Sequence, residues 1–515
     1  MSATSSHATL PTLTRALALS GLPAVDLPPA GTLTLPETAV QFGTGAFLRG
    51  FVDHFVDAAN RRGEFNGRVV AVGSTGSGRD RAFTDQDGLY TLVARGLSQG
   101  AAREEIRVVG AVSRALSAAT EWDEVLKVAR APQLRVVFSN TTEVGIALDE
   151  GDRFDLEPPR SFPGKLTRFL FERARAFDFA AERGVVVVPC ELIEDNGHRL
   201  REIVLALADR WALGADFRAW IEQAVPFCNT LVDRIVPGAP ADEDAAALRA
   251  SLGYRDELLT ACELYRLFVI EGDPSLPSGQ AKALRDRLGF VDADPGVVIT
   301  DDARPYRERK VRLLNGAHTI TVSLALLAGC ETVRDAMTHE LVGPFVRRVM
   351  LDEIAPTLQD PAAEAFALAV LDRFANPYIR HALFDITLQA TMKMRVRVVP
   401  TIERSVARTG RAPALLSLGL AAFLLFARGD LQERRRIAGL AVPADEQRDR
   451  LCTLWATHAP DAVAGAALSD ATLWGTDLTQ VPGLLDAVRD ALARLLSDGV
   501  ERTLEAHLAA SLPTT

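Results

Sequence analysis

Cysteine is scarce in this chain, with five in 515 residues. Cys190, Cys228, Cys262, Cys330 and Cys452 stand apart, with no C-x-x-C pair and no histidine at zinc-site spacing. That pattern excludes a disulfide framework and a structural zinc site, and fits reduced thiols of a cytoplasmic protein. Basic charge is also short. A net charge of −10 excludes a general binder of nucleic acid or of anionic membrane, while leaving room for a local basic pocket. Long apolar runs are missing too. The longest, Ala414 to Ala427, has about 14 residues where a spanning helix needs ~20, so it reads as a buried helix. Residues 1–36 lack a basic stretch followed by an unbroken apolar run, and are expected to be a flexible lead-in rather than a signal peptide.

What is present is ordinary for a soluble globular protein. The chain is 48% hydrophobic and 24% charged, long enough for two domains with substantial cores. Thr38 to Phe42 reads as a buried strand, Gly43-Thr44-Gly45 as a turn, and Ala46 to Asn60 as a helix with Phe47, Leu48, Phe51, Val52, Phe55 and Val56 on its apolar face. Strand, glycine turn and helix form the context of a dinucleotide site, because glycines let the backbone approach a pyrophosphate. The third glycine of G-x-G-x-x-G is Leu48, so an ordinary tight turn fits the same residues. The second strand, Arg68 to Val72, runs into Gly73-Ser74-Thr75-Gly76 without the acid that would bind a ribose. Leu134 to Ser139 is a further strand ending in Asn140-Thr141, a small polar turn suited to a cofactor-facing loop or to a helix cap.

From about residue 296 helical patterns dominate, with candidates at 310–328, 339–354, 362–374, 413–428 and 484–496. Arg395 to Pro400 reads as a short extended piece. The expected class is α/β, with a lead-in at 1–36, a Rossmann-like dinucleotide-binding domain at 37–295 and a mostly α-helical domain at 296–515.

The stretch Lys310-Val-Arg-Leu-Leu-Asn315-Gly-Ala-His318 puts a cation, an amide and an imidazole in an otherwise apolar helix. In α-helical geometry His318 lies roughly 80° and Asn315 roughly 140° around from Lys310. A surface lysine, a helix-start asparagine and a satisfied core histidine would give the same letters.

Taken together, Gln41-Phe-Gly43-Thr-Gly45-Ala-Phe47-Leu-Arg49-Gly-Phe-Val-Asp53 and Lys310-x4-Asn315-x2-His318 resemble the signatures of the polyol-specific long-chain dehydrogenases, the mannitol dehydrogenase family. Cys190 to Gly197, Val232-Asp233-Arg234-Ile235 and Arg373-Phe-x-Asn376-Pro377 carry the likeness along the chain. The resemblance implies NAD-dependent, metal-independent hydride transfer. It places Phe42, Gly43, Gly45, Phe47, Arg49, Asn140 and Thr141 at the cofactor, Lys310 as general acid and base, and Asn315 and His318 at the reacting oxygen. Ser139 to Glu143, Lys165 to Arg168 and Cys190-Glu191-Leu192 lean towards members that reduce a hexuronate, D-tagaturonate, to D-altronate. Mannitol-type members carry Cys-Asp-Asn where this chain has Cys190-Glu191-Leu192, which favours a different substrate or shifts the missing asparagine's role to Asn315 and Glu191. Asp233 is a further candidate at the substrate, although a structural pair with Arg234 fits the same residues. A uronate carboxylate needs a cation, and Lys393, Arg395 and Arg397 are the candidates, with Arg373 behind them. The alternatives are a fructuronate reductase, a mannitol-type hexitol 2-dehydrogenase and a non-catalytic NAD-binding sensor. The expected partner is a small sugar acid rather than nucleic acid or membrane, and the expected state is a monomer or small homo-oligomer.

Overall fold

The computed structural model describes residues 10–22, 25–74, 78–142, 144–240, 242–272, 280–429 and 444–510. Thr75, Gly76 and Glu143, which the sequence places near a cofactor, lie outside them. The chain divides into two compact units. One comprises residues 1–95 and 103–303, the other residues 96–102 and 304–515.

The first unit is built on five strands: β1 (Glu37–Phe42), β2 (Arg68–Gly73), β3 (Val112–Ser117), β4 (Val136–Ser139) and β5 (Val186–Pro189). Their order is 3-2-1-4-5 and every pairing is parallel. Parallel strands need crossover connections, and helices lie between them at Val52–Arg61, Trp122–Ala129 and Phe162–Ala176. The strands are valine-rich because both faces are covered. Val40, Phe42, Val70 and Val72 join the core on one face, and Ala39, Val69 and Ala71 the core on the other. Strand order reverses between β1 and β4, the crevice where open α/β sheets bind ligands.

Two sequence expectations change in this unit. The helix foreseen over 46–60 is broken at Phe51 into Ala46–Gly50 and Val52–Arg61. The carbonyls that would continue it are taken elsewhere. Arg49 O accepts from the Tyr90 hydroxyl at 2.8 Å and Gly50 O from Arg234 Nη1 at 2.7 Å. The lead-in is built into the unit from residue 10 onward. Leu13, Ala18 and Leu33 are buried beside Leu89, Val93 and Tyr254, and that apolar burial offsets the cost of ordering the segment.

The second unit is helical. Ala317–Leu327 and Ala414–Phe426 are apolar nearly all round and pack together, with Leu484–Ser497 against the latter. Helices of that kind belong in an interior. Among the described residues no helix is long and apolar enough to cross a membrane. Three stretches, Lys310–Gly316, Val349–Ile354 and Met394–Val398, are wound as wide π turns. The last of these corrects the extended piece foreseen at 395–400. Its valines favour a strand locally, but they continue into the helix Val399–Thr409.

Candidate active site

In the first unit the chain leaves β1 through Gly43-Thr44-Gly45. Gly43 has φ +141°, and a Cβ there would lie 2.8 Å from Leu48 Cδ1 and 3.0 Å from the Asn140 carbonyl, so only glycine fits. Asn140, at the end of β4, donates its N–H to Phe42 O at 3.2 Å. A cleft of about 820 Å³ opens over this edge of the sheet, lined by Phe42, Gly43, Gly45, Asn140 and Thr141. Gly45 has no protein atom within 4 Å of where a Cβ would sit. Arg79, Arg160 and Lys165 bring positive charge to the wall and Asp149 and Glu150 negative charge, and burial lowers the Lys165 pKa against the opposing pull of Asp152. A glycine turn at a strand end, flanked by cations, fits a dinucleotide pyrophosphate.

Phe47 and Arg49 are not among the cleft-lining residues. Phe47 stacks on Phe51 with centroids 4.9 Å apart. Arg49 is buried and points inward, donating Nη1 to Thr44 O at 2.6 Å and Nε to Thr260 Oγ1 at 3.0 Å. It shapes the turn from beneath. No acid stands at the end of β2 itself; Asp80, on the next helix, packs against Gly73, its Oδ1 2.5 Å from that glycine's Cβ position, and it is not among the cleft-lining residues. Glu191 is buried and accepts from Ser139 Oγ at 3.0 Å, Thr141 N at 3.0 Å and Thr141 Oγ1 at 3.1 Å. Burial raises its pKa despite those bonds. Asp233 is buried at the end of the strand Asn229–Asp233, opposite Leu267. Both therefore belong to the first unit, and Glu191 holds the Asn140–Thr141 loop.

In the second unit Lys310 and Asn315 share one π turn, in which bonding runs from residue i to i+5. The α-helical angle of roughly 140° between them therefore does not apply, and the wider winding brings them towards one side. Asn315 O accepts from Thr319 Oγ1 at 2.7 Å, which ties the turn to the α-helix that follows. His318 is half-buried, stacked on Phe374 at 3.9 Å with His381 5.3 Å away edge-on. Its pKa lies well below the ordinary value, first through burial and then through the charges of His381, Arg373, Arg397 and Lys393. Arg397 donates Nη1 to Thr319 Oγ1 at 3.2 Å and Lys393 donates Nζ to Ile386 O at 3.0 Å. Burial lowers the pKa of each, and Arg397 depresses Lys393 further. Arg395 instead lies against Gly475, its Nε 2.7 Å from that glycine's Cβ position. His381 escaped sequence reasoning, since a single histidine outside a motif carries no spacing signal. Phe374 lay inside the Arg373-Phe-x-Asn376-Pro377 motif, but its role as a stacking partner was not readable there.

Comparison with known proteins agrees with this architecture. Residues 37–280 match the model of the mannitol dehydrogenase Rossmann domain, and residues 302–496 that of the mannitol dehydrogenase C-terminal domain. An altronate oxidoreductase of Cronobacter sakazakii is 44% identical over 91% of this chain and 96% of its own length. One from Yersinia pestis is 42% identical over 92% and 97%. Among solved structures, mannitol 2-dehydrogenase of Pseudomonas fluorescens, in a ternary complex with NAD and D-mannitol, aligns over 97% of this chain and 100% of its own. Its TM-score is 0.66 and its identity 25%. A D-sorbitol dehydrogenase in substrate-free form shares the fold, with a TM-score of 0.74 at 24% identity over 96% of this chain and 100% of its own. The chain belongs to the mannitol dehydrogenase family.

Proposed function

We propose that this protein reduces D-tagaturonate to D-altronate with NADH. The observation that carries the reading is the set of basic groups around His318. Arg373, Arg397 and Lys393 all act on that imidazole, Arg397 from a 3.2 Å hydrogen bond to Thr319 Oγ1 in the same helix, in the unit that holds Lys310 and Asn315. Burial holds the His381 pKa below its ordinary value, so it adds no charge at neutral pH. A hexitol has no use for such a concentration of positive charge, whereas a hexuronate brings a carboxylate to meet it. The likeness to altronate oxidoreductases points the same way.

The Gly43–Gly45 turn and the Asn140–Thr141 loop would hold NADH, which would supply the hydride. The protein supplies position and a proton. Lys310 gives its Nζ proton to the carbonyl oxygen as negative charge develops there, and takes it back in the reverse direction. The Asn315 amide and the His318 imidazole hydrogen-bond the same oxygen. His318 does so as a neutral donor, because burial and the surrounding cations keep it unprotonated at neutral pH.

NADH oxidation by the purified protein with D-tagaturonate, D-fructuronate or D-fructose tests the reading, with Lys310→Ala alongside. Turnover on tagaturonate is expected, abolished in the variant while NADH still binds. Turnover on fructose with none on either uronate would overturn it in favour of a mannitol-type enzyme.

A further inference from the structure

Arg312 follows Lys310 by two residues inside the same π turn, and its side chain is buried. Its guanidinium makes three bonds. Nε donates to Glu308 Oε1 at 2.8 Å, and Nη1 donates to Val396 O at 2.8 Å and to Arg397 O at 2.9 Å. Glu308 is shared with Arg404.

These acceptors have a physical reason to be available. Pro400 sits in the first turn of Val399–Thr409 and carries no N–H, so the wide turn that precedes it is one helical donor short. A buried carbonyl without a donor is costly. Arg312 brings donors to the turn from a different segment, and its rigid planar fork fixes direction as well as distance. Gly316 lies beside this segment, a Cβ there standing at an ordinary contact distance of 3.5 Å from Arg397 O. Thr401 Oγ1 reaches the same carbonyl at 3.1 Å.

We propose that Arg312 is a positioning residue: by gripping the carbonyls of Val396 and Arg397 it sets the register between the segment bearing Lys310 and Asn315 and the segment bearing Lys393 and Arg397. It thereby fixes how far the proton donor stands from the cations that hold the substrate carboxylate. The inference rests on the roles proposed above for Lys310, Lys393 and Arg397.

The test compares wild type, Arg312→Lys and Pro400→Ala. The readouts are kcat and KM on D-tagaturonate, the ratio of kcat/KM on tagaturonate to that on D-fructose, and NADH affinity by fluorescence as a measure of folded protein. Lysine keeps the charge but cannot grip two carbonyls in a fixed plane. Pro400→Ala adds an N–H to the wide turn that Arg312 grips and lets it rewind, without touching a buried charge. Each is expected to lower the tagaturonate-to-fructose ratio at least tenfold, with a fall in kcat on tagaturonate and NADH affinity within twofold of wild type. An arginine that only stabilises the fold would reduce the amount of active protein and leave the ratio and KM unchanged, and that result in Arg312→Lys overturns the proposal. Should Arg312→Lys fail to fold, the ratio in Pro400→Ala decides by the same criterion. A wild type inactive on both sugars overturns the functional reading itself, whereas an active wild type with unchanged variants overturns only the clamp.

Discussion

The imidazole of His318 lies face to face with the ring of Phe374, centroids 3.9 Å apart and planes 28° from parallel. An aromatic pair of this kind contributes about 0.5–1.5 kcal/mol beyond the area it buries. That contribution holds one orientation of the imidazole. Phe374→Leu keeps the apolar volume but loses the flat face. With about 1 kcal/mol of orientation lost, kcat/KM for tagaturonate is expected to fall roughly five- to tenfold, with NADH affinity unchanged. Steady-state kinetics and NADH titration of the variant check this, and wild-type kcat/KM would remove the orienting role from Phe374.

The three candidate carboxylate cations are not equivalent. Arg397 and Lys393 both act on His318, while Arg395 lies against Gly475. Losing one partner of a desolvated charge pair costs about 2–5 kcal/mol. Arg397→Met is therefore expected to raise KM for tagaturonate by about a hundredfold and to leave fructose kinetics nearly unchanged. Arg395→Ala is expected to change neither. Parallel KM measurements on the charged and uncharged ketose separate the two positions, and an Arg395→Ala effect equal to that of Arg397→Met would refute the distinction.

What was legible in the sequence was local. The glycine turn after β1 and the Lys310, Asn315, His318 spacing can be read because a few neighbouring letters carry the signal. The valine runs of β1, β2, β4 and β5 announce a buried parallel sheet for the same reason. What escaped depends on distant partners. The break at Phe51 needs Arg234 and Tyr90 to capture two carbonyls. The resemblance places Arg49 at the cofactor, yet its side chain donates to Thr44 O and Thr260 Oγ1. The π winding of 394–398 has its Val396 carbonyl held by Arg312, far away in the chain, and no window of neighbouring residues contains both.

Beneath the glycine turn, Asp53 is buried and accepts from the Tyr90 hydroxyl at 3.2 Å. Burial drives its pKa up to about 7, against the hydrogen bond from Tyr90 and the charge of Arg49. In the unfolded chain the value returns to about 3.8. Between about pH 4 and 7 the folded protein thus holds a proton that the unfolded chain has lost, and stability falls as pH rises through that window. Asp53→Asn carries no charge at any pH and should remove this slope. Relative to wild type, its Tm is expected to climb from pH 5 to pH 8 and then level off, by roughly 2–4 °C for each kcal/mol recovered. Thermal melts at four pH values check it, and a constant difference between the two proteins would exclude a titrating Asp53.

Gly43 and Gly45 stand two residues apart and answer to different constraints. A methyl at Gly43 meets Leu48 and Asn140 and forces a left-handed backbone, φ +141°, on a residue that resists it. A methyl at Gly45, where φ is −70°, meets no protein atom within 4 Å and projects beside the cleft. Gly43→Ala is therefore expected to lower Tm and NADH affinity together, since strain at such positions costs of order 1–3 kcal/mol. Gly45→Ala is expected to leave Tm within about 1–2 °C of wild type, an exposed substitution being usually within about 0.5 kcal/mol. Its NADH affinity should nevertheless fall tenfold or more, because the methyl occupies space that the pyrophosphate needs. Tm and NADH Kd measured on both variants decide the matter. A Gly45→Ala protein that binds NADH as wild type does would mean that the pyrophosphate does not cross this turn, and the cofactor would have to be placed elsewhere along the edge of the sheet.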